Sequence, residues 1–187
     1  MSRIIVIEFV SLDGVIHDPD GAEGSTHGGW AFRHGQQAVA GDKFRLGEVL
    51  ATGALLLGRK TWEKFAGLWP TRDDDFSSKM NAIPKLVASR TLDDVSKWSN
   101  STLLGGDLLE EAEERKADRD LVVAGSASVA HALMEAELVD EYRLLVFPTV
   151  VGEGPRLFEP GLVSAELSIV SAQAAGPAAL LVYSRAA

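Results

Sequence analysis

The sequence predicts an α/β layered domain. Short apolar runs alternate with longer segments of helical period from the start of the chain to about residue 140. Two of those runs, LLL at 55–57 and LVV at 121–123, are continuously apolar, as strands covered on both faces are. Beyond Glu141 the pattern turns to strand alone, which predicts an antiparallel end to the sheet.

Taken in order, Arg3 to Leu12 reads as the first strand. The Gly- and His-rich stretch from Asp13 to Gly35 is the longest irregular segment and sits where a functional loop would. A helix is predicted from Gln36 to Ala51 and a strand from Ala54 to Leu57. On the helix that follows, Trp62, Phe65, Ala66 and Trp69 fall at i, i+3, i+4 and i+7. Asp73-Asp74-Asp75 is expected to cap a helix starting near Phe76. Strands then run from Lys85 to Ala88 and from Ser101 to Leu104, with a solvated helix from Asp107 to Lys116. A buried strand from Leu121 to Ala124 leads into a helix from Ser128 to Leu138 that carries Val129, Leu133, Ala136 and Leu138. YRLLVFPTVV, VSAELSIVSAQ and AALLVYSR complete the set, with Gly176-Pro177 turning the last pair.

A chain of 187 residues, 46% hydrophobic, buries one sizeable core, so one domain is expected over residues 1–187. The formal net charge of −9 argues against nucleic acid or an anionic membrane as the main partner. The absence of cysteine excludes disulfides, thiolate metal sites and cysteine nucleophiles, and fits a reducing compartment. No run reaches the roughly 18 apolar residues of a membrane span. The first apolar run is short for a signal peptide and contains Glu8, so a cytoplasmic protein with a small-molecule substrate is expected.

The chemistry lies at the strand ends. In α/β sheets, ligands gather outside the carboxyl ends of strands, where helix N-termini offer N–H groups to phosphate. Gly58-Arg59-Lys60-Thr61 occupies such an end: Gly58 lets backbone approach a ligand, Arg59 can grip phosphate with two donors, and the Thr61 hydroxyl can cap the helix or touch the same group. A capped surface helix fits this stretch alone equally well. Ser89-Arg90 follows the strand KLVA, and Gly125-Ser126-Ala127-Ser128 follows LVVA and opens a helix, which makes three strand ends with anion-binding residues. There is no GxxxxGK[ST] motif, and Gly152-Glu153-Gly154, followed by Pro155, reads as a turn.

GRKTWEKF, then SR, then AGSASVAHALMEAELVDEYRLLVFPTVVGEGPRLF, in that order and spacing, resembles the dihydrofolate reductase superfamily. The opening FVSLDGVI extends the likeness over nearly the whole chain. The similarity is greatest to the branch containing the C-terminal reductase domain of the bacterial riboflavin-biosynthesis deaminase/reductase. The resemblance implies a three-layer α/β/α fold with a central, mainly parallel sheet, a homodimer, and NADPH along the strand ends. By the same likeness Gly58, Arg59 and Thr61 hold the cofactor's phosphates, Ser89 and Arg90 the adenosine 2′-phosphate, and Gly125, Ser126, Ala127 and Ser128 the pyrophosphate. Guanidinium groups at a terminal phosphate independently favour NADPH over NADH.

Hydride transfer to a C=N or C=O of a small heterocyclic or carbonyl substrate, riboflavin-precursor-like or pterin-like, is therefore expected. Its alternative is a catalytically silent nucleotide-binding module. Phosphoryl transfer is disfavoured, because neither a Walker lysine nor an acidic magnesium site follows a strand. Many members of the superfamily join two glycines by a cis peptide at the last cradle. Here the pair is Ala124-Gly125, and a cost near 3 kcal/mol argues against a cis peptide before Gly125. No Asp or Glu lies between Gly28 and Gly41, where reductases of dihydrofolate place a pterin-binding carboxylate, so a substrate other than dihydrofolate is expected. Asp13, a loop His or ordered water is the candidate proton donor, and Asp13 reads nearly as well as an Asp-Gly turn former. Trp30, Phe32 and Trp62 are candidate apolar walls between the loop and the first helix. His17, His27 and His34 have no recognised metal-ligand spacing.

Overall fold

The computed structural model describes residues 2–162 and 164–186. Its strands are β1 (Ile4–Ser11), β2 (Ala54–Gly58), β3 (Lys85–Ala88), β4 (Ser101–Leu103), β5 (Leu121–Val123), β6 (Glu141–Phe147), β7 (Leu167–Ala175) and β8 (Ala178–Arg185). They form an eight-stranded sheet in the order β4-β3-β2-β5-β1-β6-β8-β7. The pairs β1–β5, β5–β2, β2–β3 and β3–β4 are parallel, and β6–β8 and β8–β7 are antiparallel. This is the predicted α/β class with its antiparallel C-terminal strands.

The chain divides into two compact units, one of residues 1–6 and 46–140 and the other of residues 7–45 and 141–187. In the first, Ile4 to Val6, Leu55 to Leu57 and Leu121 to Val123 are essentially inaccessible. Each such Val, Leu or Ile contributes roughly 1.5–3 kcal/mol of burial. The unit's helices are α1 (Val49–Thr52), α2 (Arg59–Leu68), α3 (Asp75–Ala82), α4 (Leu108–Lys116) and α5 (Ala127–Glu135). Asp74 and Asp107 cap α3 and α4, each accepting from two amides of the first turn. The fourth residue after Leu133, Glu137, takes φ +56°, and the Leu138 amide donates back to the Leu133 carbonyl. This closes α5 three residues before its predicted end.

Lys85 opens β3 and is completely buried. Its Nζ donates to the carbonyls of Asn81 at 2.6 Å and Ser99 at 3.0 Å and lies 4.3 Å from the centre of the Trp98 ring. Trp98 in turn donates to Asn81 Oδ1 at 2.8 Å, so the turn before β4 is built on this one ammonium group.

In the second unit Trp30, Ala31, Ala38, Leu145, Phe147, Ala178, Leu180 and Val182 form the core, with Phe9, Val39 and Phe44 packed against it. The β7–β8 hairpin turns through Gly176 and Pro177, with Ala175 opposite Ala178. Gly176 at φ +67° followed by proline matches a two-residue II′ turn.

The helix expected from Gln36 to Ala51 is not formed. A single 3-10 turn spans Gln36–Ala38, and helix resumes only at α1. Between them Gly41, Arg45 and Gly47 adopt φ of +75°, +52° and +57°, left-handed values that an α-helix does not accommodate. Ala38, Val39 and Phe44 instead reach the core from turns. Among the described residues no helix is long and apolar enough to cross a membrane.

Candidate functional site

The strongest cradle lies within the first unit, where β2 and β5 deliver their helices side by side. The Gly58 amide donates to the Gly125 carbonyl at 3.1 Å. A Cβ on Gly58 would collide with the Ser126 hydroxyl and lie 3.0 Å from Ser126 Cβ and 3.1 Å from its backbone nitrogen. Gly58 has φ −75° and ψ 160°, open to any residue, so the site requires glycine by space and not by torsion. Gly125 has φ +98° and does require glycine by torsion.

Gly58 and Ser126 are the N-cap residues of α2 and α5, and neither helix has a side-chain cap. Two uncapped N-termini of ten- and nine-residue helices therefore lie together, each with its dipole and first-turn amides open to an anion. Ser126 Oγ and Ser128 Oγ are 2.9 Å apart, with Ala127 between them in the first turn of α5. Thr61 is half-buried in the first turn of α2, but the cap position is Gly58, so Thr61 does not cap the helix as the sequence allowed. The peptide between Gly125 and Ser126 is cis, one bond later than the pair considered from sequence.

Arg59 is exposed and reaches Glu63 Oε1 at 3.5 Å, a loose surface pair worth little on its own. Ser89 Oγ accepts from the amides of Thr91 at 3.1 Å and Leu92 at 2.9 Å, fixing the turn after β3, and Arg90 is exposed on that turn. These residues fit a dinucleotide: amides and hydroxyls for a pyrophosphate at Gly125 to Ser128 and Gly58, and two exposed guanidinium groups for further phosphate charge. Trp62 lies away from this chemistry, buried with its Nε1 donating to Ser101 Oγ at 2.9 Å.

In the second unit Asp13 ties two loops together. Its carboxylate accepts from Ser11 Oγ at 2.7 Å, the Val151 amide at 3.0 Å and the Gly152 amide at 2.7 Å. Those bonds, Val151's first and Ser11's next, hold the carboxyl down at about 2. Asp13 therefore has no proton to give near neutral pH. The Arg156 guanidinium donates to its carbonyl at 3.0 Å, and Leu12 donates to Thr149 at 2.8 Å, completing the latch.

Trp30 is committed to the core, edge-on to Phe147 at 5.8 Å with its Nε1 donating to the His17 carbonyl at 2.8 Å, whereas Phe32 is exposed. The helix that was to form the other wall of their pocket is absent. A cavity of about 170 Å³ lies instead among His17, Ser25, His27, Val151, Glu153 and Gly154. His27 faces Glu153 at 3.4 Å, His17 faces Glu23 at 3.8 Å, and His34 contacts Thr149 Oγ1 at 3.0 Å. Among the described residues no three His, Asp or Glu side chains gather for a metal ion.

Glu8 was not singled out as a site residue. Burial pushes this carboxyl on β1 up to about 8. The available signal was a single acid inside IIVIEFV.

A family model described as RibD C-terminal domain matches residues 2–181. The uncharacterized protein YyaP of Bacillus subtilis (strain 168) is 30% identical over 111 residues, which cover 56% of this chain and 58% of that protein's length. A Shewanella sp. PV-4 protein provisionally assigned to riboflavin biosynthesis superposes with a TM-score of 0.75 at 21% identity, over 99% of both chains. A pyrimidine reductase-like protein from Corynebacterium diphtheriae gives a TM-score of 0.60 at 12% identity, over 100% of this chain and 92% of that one. At those identities the structural likeness establishes the fold.

Proposed function

Because the chain belongs to the RibD C-terminal domain family, whose members carry a reductase fold, we propose that it is an NADPH-dependent reductase of a small heterocyclic or carbonyl compound. The observation that carries this reading is the pair of uncapped helix N-termini meeting at Gly58 and Ser126, with no room for a side chain between them. Gly58, Thr61 and the Gly125 to Ser128 turn receive the phosphates through backbone amides and hydroxyls. Arg59 adds a charged donor beside them. Ser89 orders the turn from which Arg90 reaches the adenosine 2′-phosphate. The bound cofactor supplies hydride from nicotinamide C4. Asp13 keeps the loops after β1 and β6 latched, so the role of proton donor passes from Asp13 to another group.

Fluorescence titration with NADPH and NADH tests the reading. NADPH is expected to bind more tightly, and Arg90→Ala to weaken NADPH alone by roughly 10- to 150-fold, the equivalent of one charged hydrogen bond of about 1.5–3 kcal/mol. Equal loss for both cofactors removes the 2′-phosphate assignment.

We also propose a homodimer. β7 is one of the two edge strands of the described sheet, and beside a bulge between Ile169 and Ser171 the residues Ile169 and Val170 are 62% and 60% exposed on it. Light scattering at micromolar concentration is expected to give twice 20.0 kDa, and a monomer would remove the proposal.

A further inference from the structure

The cavity of about 170 Å³ is used by neither the phosphate cradle nor the latch, and every residue that lines it belongs to the second unit. A dinucleotide or any drug-sized molecule needs roughly 300 Å³ or more, so only a smaller ligand fits. Both walls are firmly built. On one side Asp18, 1% exposed, accepts from the Glu23 amide at 3.0 Å, the Ser25 amide at 3.0 Å and the Ser25 hydroxyl at 2.9 Å, while its carbonyl accepts from the Gly21 and Gly29 amides. A Cβ on Gly28 would strike the Asp18 carboxylate, so the loop closes tightly over that acid. On the other side Asp13 holds Val151 and Gly152, and the Ile16 amide donates to the Pro155 carbonyl at 3.0 Å. Gly154 has φ +114°, and a Cβ there would crowd Val15 at 3.3 Å.

The hydrogens of these walls are largely spent inside the protein. Ser25 gives both its amide and its hydroxyl hydrogen to Asp18, and Val151 gives its amide hydrogen to Asp13. His27 turns Nε2 to the Glu153 carboxylate at 3.4 Å, and His17 turns Nδ1 to that of Glu23 at 3.8 Å. A neutral imidazole so placed keeps its hydrogen on the nitrogen beside the carboxylate and offers a lone pair at the other. What remains for a ligand is a set of acceptors: the Ser25 oxygen, the second ring nitrogens and the Glu153 carboxylate, with Val151 as an apolar wall. Neither Lys nor Arg is among the lining residues, so the carboxylates of Glu153 and Glu23 set the sign of the local field.

We propose that this cavity binds a small organic cation carrying several N–H donors, of amidinium or guanidinium type. Glu153 is its charge partner, and Ser25 Oγ and the two imidazoles accept its remaining hydrogens. A planar N–H fork meets a carboxylate through two parallel bonds, which a single ammonium or a hydroxyl cannot do. An anion would meet carboxylates of its own sign. A bare metal ion is poorly served, since among the described residues no three His, Asp or Glu side chains gather. Binding here needs neither NADPH nor turnover, so it goes beyond the reductase reading and does not rest on it.

Amide NMR of the whole chain, titrated with benzamidine, benzamide and benzoate, separates charge from shape, because the three probes share one ring. Benzamidine is expected to saturate, to shift the amides of residues 17–29 and 149–154, and to bind about 10-fold or more tightly than benzamide, with benzoate weaker still. Glu153→Gln is expected to weaken benzamidine about 5-fold or more, a modest loss because this carboxylate is 72% exposed. Glu166→Gln removes the same charge from an exposed residue outside the lining and is expected to leave the affinity unchanged. Benzamide or benzoate binding as tightly as benzamidine overturns the assignment. So does a lack of saturation by about 10 mM, or shifts confined to other residues. Undiminished affinity in Glu153→Gln, or an equal loss in Glu166→Gln, overturns it as well. The comparison of the three probes uses the wild type alone, so it decides the matter even if a variant fails to fold.

Discussion

Gly58→Val is expected to abolish NADPH binding and to lower stability by about 1–3 kcal/mol, the cost of overpacking a tight contact. The first atom of the new side chain would meet the Ser126 hydroxyl and stand 3.0 Å from Ser126 Cβ, so either α2 or the α5 turn must move. Both are helix starts whose amides must converge on one anion, and movement by a few tenths of an ångström misdirects them together. Because Gly58 has an ordinary φ, no backbone strain contributes, and adding Ser126→Gly should return part of the stability. Urea denaturation and fluorescence titration of the two single variants and the double variant measure both effects. Wild-type affinity in Gly58→Val would show that phosphate does not sit on this pair of turns.

The second large effect belongs to Lys85. Lys85→Met is expected to cost about 2–4 kcal/mol, since it removes a donor from two carbonyls in partly buried hydrogen bonds and a cation from the Trp98 face. The Asn81 carbonyl keeps only long contacts at 3.4 Å from Ser99 Oγ and Asn100 Nδ2, too weak to replace the ammonium. Burial pulls the Lys85 titration down from 10.5 to about 8. Between those values the unfolded chain holds the proton and the folded protein does not, so wild-type stability rises as pH rises through that window. The rise should be missing from Lys85→Met. Denaturation midpoints at about pH 7.5 and about pH 10 in both proteins check this; a variant as stable as the wild type would mean that Asn81 and Ser99 find water instead.

The strands and the helix starts after β2 and β5 were legible because each rests on local chemistry. LLL and LVV announce buried parallel strands by unbroken apolarity, and Gly58 and Gly125-Ser126 just beyond them mark helix starts. The region from 36 to 51 misled because its apolar residues serve a core made by distant strands, Leu145, Phe147 and Leu180 among them. The glycines at 41 and 47 were the available warning. Asp13 was visible as a functional-looking acid, but its true partners, the amides of Val151 and Gly152, lie almost 140 residues away. Glu8 and Lys85 were missed for one reason. A single charge at a strand position looks like a surface residue until the fold shows it half-buried, as Glu8 is, or wholly buried, as Lys85 is.

β1 also sets a timetable for synthesis. It precedes the other described strands in the sequence, yet one of its two neighbours starts at Leu121 and the other at Glu141. When synthesis has reached residue 120, β2, β3 and β4 are already made, while β5 and β6, the strands beside β1 among the described residues, are not. Until they are, the apolar ribbon IIVI has to be kept from other chains by something other than its own strand pairing. The charges that bracket it, Arg3 and Glu8, are placed to discourage premature pairing during that wait.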